Sequence, residues 1–114
     1  MTNKLLECVY RKFDELEALL GWLSWLTGMR EADGPPCNLD DDSWLSAVVT
    51  QLGRFALARQ LAAEYILDLE RADNFASSLK TNVRLSQIDD RYEELLTYIG
   101  GAAQEIEEKK NHDQ

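Results

Sequence analysis

The chain has 114 residues, of which 45% are hydrophobic and 29% charged, with 12 Lys plus Arg against 21 Asp plus Glu for a formal net charge of −9. That balance suits a single globular core, excludes wholesale disorder, and argues against direct binding to nucleic-acid backbones or anionic lipid. Two cysteines, Cys8 and Cys37, and one histidine, His112, are too few for a disulfide framework or a zinc site, so a reduced, cytoplasmic setting is expected.

The N-terminal stretch MTNKLLECVYRKFDE is broken by charges every few residues, which leaves no room for a signal peptide or a membrane span. From there Leu6, Val9, Phe13, Leu16, Leu20 and Leu23 fall at steps of three and four, the rhythm of a helix seam. Gly28 and the Gly34, Pro35, Pro36 cluster predict its end and a loop over residues 29–42.

Asp40, Asp41, Asp42 and Ser43 then read as acidic caps at the positive dipole end of a second helix. Its stripe is Leu45, Val48, Leu52, Phe55, Ala62, Ile66 and Leu69, and neither Gly nor Pro occurs from Arg54 to Lys80. A different side of the same helical wheel carries Leu57, Leu61, Tyr65, Ala72, Phe75 and Leu79. Either one long helix shows two apolar faces to two neighbours, or it breaks at Asp73 and Asn74 and a shorter helix reaches Arg84.

Ser86 followed by Asp89 resembles a capping box, and the seam Ile88, Tyr92, Leu95, Ile99, Ala102 and Ile106 begins there. Gly100 and Gly101 interrupt it and imply a close helix contact or a kink. Residues 111–114 are expected to fray. The whole chain, 1–114, thus reads as one all-α domain: an antiparallel three-helix bundle with long helices, or four helices if the second breaks near Asp73.

Chemistry is hard to find in this pattern. A single histidine near the C-terminus is no base for Cys8 or Cys37, no inward Glu–His pair offers a di-metal site, and no glycine-rich fingerprint offers a nucleotide site. The acid pairs Asp89 with Asp90, Glu93 with Glu94 and Glu107 with Glu108 mostly face outward. The expectation is therefore no enzyme, no cofactor and no metal.

Arg59 occupies the centre of the second stripe, where a leucine is expected. Its stem packs while the guanidinium reaches the edge or an acid on another helix, or it is a polar switch in the core. More pointed is ALLGWLSWL, where the back of the first helix carries Trp22 and Trp25 beside Ala18 and Gly21 and turns apolar all round. Either the loop from Met29 to Leu39 folds over those indoles or another chain covers them. Leu57 and Leu61 pose the same choice between packing on the third helix and forming a second interface.

The reading is a non-enzymatic protein-binding module, an inhibitor or regulator that docks through Trp22, Trp25 and Ala18, with Leu57, Leu61, Asp89, Asp90, Glu93 and Glu94 as further contacts. Two alternatives stand beside it. One is a nucleic-acid mimic whose carboxylates occupy a nucleic-acid-binding protein, although segments 43–63 and 74–88 hold no acids. The other is a homodimer or larger homo-oligomer paired through the extra apolar faces.

Overall fold

The computed structural model describes residues 2–31 and 39–112, and nearly all of them are helical. Three helices follow in order: α1 (Thr2–Glu31), α2 (Asp41–Arg71) and α3 (Phe75–His112). All three pack on one another, α1 most extensively on α2. The all-α three-helix reading is met, with α1 antiparallel to α2 and α2 antiparallel to α3.

The apolar rhythms become the core. Val9, Phe13, Leu16, Leu20 and Leu23 of α1 are fully buried, and Leu6 is half-buried at the margin. Phe55, Ala62, Ile66 and Leu69 of α2 pack with Leu85 and Ile88 of α3 in one cluster, while Trp44, Val48, Ile99, Ala102 and Ile106 close a second around Leu23 and Leu26. Tyr92 and Leu95 touch both clusters, and Tyr92 stacks on Phe55 with ring centroids 3.9 Å apart. Burial on that ring raises the Tyr92 phenol above its ordinary pKa of 10.0.

Helix boundaries differ from the sequence expectation in three places. Of the two alternatives at Asp73 and Asn74 the continuous helix fails and the break forms: the second helix ends at Arg71, and Asp73 adopts a φ of 60°. There Asn74 N–H donates to the Leu69 carbonyl and Asp73 N–H to that of Glu70, both at 3.0 Å, the paired bonds of a Schellman close. Asn74 then caps α3, its side-chain oxygen accepting from Ser77 N–H at 3.4 Å.

Conversely, no helix starts at Ser86. α3 runs through it because Asp89 does not turn back to cap the backbone but reaches across to Arg59. The count of three helices survives because one break and one fusion offset each other.

The glycines are the third difference. α1 passes through Gly28 to Glu31, and α3 passes through Gly100 and Gly101. A Cβ built on any of the three meets nothing within 4 Å, so no close helix contact explains them. α3 is helical as far as His112; Asp113 and Gln114, like Cys37 and most of the proline loop, lie outside the described residues. Cys8 is a half-buried free thiol.

The bundle measures 59 × 25 × 18 Å, with a radius of gyration of 17.6 Å against about 13 Å for a compact domain of this length. Such a rod exposes more surface per residue than a sphere. Several large apolar side chains are therefore left outside the core, and these define the candidate sites.

Candidate functional site: a tryptophan pair on the outer side of the first helix

Three tryptophans lie near one end of the bundle, and the structure treats them in two ways. Trp44, in the first turn of α2, is 1% exposed. Its Nε1–H donates to the Leu26 carbonyl at 2.8 Å, and Arg30 lies over its ring at 4.9 Å from the centroid. Trp22 and Trp25 are each 55% exposed.

The two exposed indoles arise from position on α1. The core side of this stretch is taken by Leu19, Leu20, Leu23 and Leu26, so residues 18, 21, 22 and 25 project away from it. Trp22 and Trp25, three residues apart, meet edge to face with centroids 5.7 Å apart and planes at 87°. Ala18 and Gly21 beside them are exposed and small, which keeps the ring faces open. Whether the proline loop drapes over this pair concerns residues 32–38, outside the described set; Leu39 packs against the second core cluster.

The acids divide. Asp89 is drawn into the fold: its carboxylate accepts from Arg59 Nη2 at 2.9 Å and Nε at 3.3 Å, a two-point ion pair between α2 and α3. The same bond holds the Arg59 guanidinium above its ordinary pKa, against a smaller opposing effect of burial. Arg59 is thus a packed stem with a paired head. Asp90, Glu93 and Glu94 are exposed. The register set by Arg84, which touches both Phe13 and Glu17, puts them at about the height of Trp22 and Trp25.

Leu57 and Leu61 do not join this group. Leu57 is 63% exposed and Leu61 half-buried, so the first does not pack on α3 as one reading of the sequence expected. The antiparallel register fixed by Trp44 and Leu26 places Leu57 near the level of Phe13, roughly 13 Å along the bundle from Trp22. Residues 40–42, for their part, are spoken for within the fold. Asp40 caps α2 by accepting from Ser43 N–H at 2.7 Å, Asp41 pairs with Arg30 at 2.9 Å, and Asp42 pairs with Lys110.

A further apolar stripe, not among the expected contacts, runs along the start of α3: Phe75, Leu79 and Val83 are 60%, 69% and 53% exposed. The sequence pattern places Phe75 and Leu79 either on a continuation of α2 or on a separate helix after Asp73 and Asn74, and the second placement is the one that forms.

Among the described residues no group of three or more His, Cys, Asp or Glu side chains could hold a metal ion, and no helix is long and apolar enough to cross a membrane. No protein-family model matches the chain, and no curated protein or solved structure matches it either.

Proposed function

We propose that this protein is a non-enzymatic binding module, a small acidic inhibitor or regulator that docks a partner protein through Trp22 and Trp25. The observation that carries the reading is the half-exposed, edge-to-face indole pair, set beside a third tryptophan that the same fold buries completely. Each exposed indole leaves on the order of 100 Å² to be covered, about 2.5 kcal/mol of gross hydrophobic gain apiece. The rings already hold each other, so less rotamer freedom is lost on docking. Exposed Asp90, Glu93 and Glu94 at the same height favour a partner with basic residues around an apolar recess.

Nucleic-acid mimicry is less well supported, because Arg59 neutralises Asp89 and lysines 109 and 110 sit beside the acids of the α2 cap. A second copy of this chain is the competing occupant of the tryptophan face.

Two measurements test the proposal. Affinity capture with wild type beside a Trp22→Ala, Trp25→Ala double variant should return a specific partner for the first and lose it for the second. Mass in solution at micromolar concentration should be that of a monomer. A dimer that the double variant abolishes would assign the face to self-association instead.

A further inference from the structure

On a different face, α1 and α3 enclose a half-open groove of about 370 Å³, within the size range of small-ligand sites. Its exposed apolar surface comes from Tyr10 and Val83 over a floor of buried Phe13, and its polar rim from Lys80, Arg84 and Gln87. Tyr10 meets the buried Phe13 ring edge to face with centroids 6.3 Å apart, so the ring exposed at the groove is that of Tyr10. By helical geometry it lies about 18 Å along α1 from Trp22 and about 120° around it, which makes it independent of the proposed docking face.

The charge in this groove runs against that of the protein. The chain carries −9 overall, yet residues 74–88 include Lys80 and Arg84 and no acid. Arg84 is held in place by Glu17 at 3.0 Å and by the face of Phe13 at 4.9 Å, with only part of its guanidinium used. Among the described residues neither the Lys80 ammonium, the Gln87 amide nor the Tyr10 hydroxyl has a hydrogen-bond or ion-pair partner. Thr81, which also lines the groove, is by contrast satisfied by the Ser77 and Ser78 carbonyls.

From this arrangement we propose that the α1–α3 groove binds a small amphipathic carboxylate, an anionic head on a short aromatic or aliphatic body. The body lies between Tyr10 and Val83. The carboxylate accepts from Lys80 and Gln87, beside the part of the Arg84 guanidinium that Glu17 leaves unused.

The test is a ¹H–¹⁵N NMR titration of the intact protein with 4-phenylbutyrate, and with 4-phenylbutanol as the same body without the charge. The proposal requires saturable shifts confined to residues near 10–13 and 80–87, and an affinity at least tenfold weaker for the alcohol. Lys80→Glu, a substitution at an exposed helical position whose fold is checked by circular dichroism, should weaken the acid at least tenfold and leave the alcohol unchanged. Equal affinity for acid and alcohol, indifference to Lys80→Glu, shifts centred on the Trp22 and Trp25 indole signals, or no saturable shift at all would each overturn it.

Discussion

The indole Nε1–H of Trp44 donates to the backbone carbonyl of Leu26 at 2.8 Å, joining the start of α2 to the last turns of α1. With Arg30 over the ring and paired to Asp41, this bond explains why Trp44 is covered while Trp22 and Trp25, on the same bundle end, are not. Trp44→Phe removes the donor and leaves a small void, and should cost about 2 kcal/mol in urea unfolding. Acrylamide should quench the remaining emission of this variant readily, because only the exposed indoles report. Wild-type stability in Trp44→Phe would contradict the role given to the bond.

Gly100 and Gly101 lie in the interior of α3, exposed, with open space where a Cβ would go. Replacing each by Ala should stabilise the protein by about 1 kcal/mol per site, since glycine is the poorer helix former and nothing here needs it. Thermal melts of the single and double variants check this, with a rise in midpoint expected for each. A fall would show that the glycines serve a contact made only outside the isolated chain.

The cap of α2 titrates. Hydrogen bonds from Ser43, the backbone N–H first, hold the Asp40 carboxylate below its ordinary pKa of 3.8, and Lys110 adds to the effect. The lowered folded-state value means that Asp40 contributes stability above the ordinary value and loses it as pH falls through the folded one. Stability measured from pH 6 down to 2 should therefore drop less steeply in Asp40→Asn than in wild type, because Asn caps without titrating. Asp40→Ala should lower the melting point at pH 7, where Asp40→Asn retains most of it.

Arg59 and Asp89 are both partly exposed, so their bidentate bond is worth less than its geometry suggests. A double-mutant cycle with Arg59→Met and Asp89→Asn should give a coupling of about 1 kcal/mol or less, shrinking in high salt. A coupling of several kcal/mol would mark a buried polar switch instead.

What the sequence disclosed and what it hid follow from the physics of each signal. The seam through Val9, Phe13, Leu16, Leu20 and Leu23 was legible because burial selects one face over many turns, and noise at single positions averages out. The end of α2 was legible only as one of two alternatives, because Asp73 and Asn74 are acceptable in a helix by propensity and the choice is made by a left-handed φ and a closing pair of hydrogen bonds. Ser86 and Asp89 mimicked a cap because the true partner of Asp89, Arg59, lies 30 residues away.

The site divided along the same lines. That Trp22 and Trp25 lie opposite the core was readable from their phase on α1. That Leu57 stands apart from them, and that Phe75, Leu79 and Val83 form their own stripe, depended on inter-helix register and on a helix boundary, neither of which has a local signature.

The account rests most on the indole pair as a docking surface, and its most direct test is the affinity of the captured partner for wild type and for the Trp22→Ala, Trp25→Ala variant, each checked by circular dichroism. A folded variant that binds at least 100-fold more weakly, with the wild-type complex weakened only modestly by salt through its acidic rim, is the expected result. A folded variant whose Kd stays within threefold of wild type would contradict it.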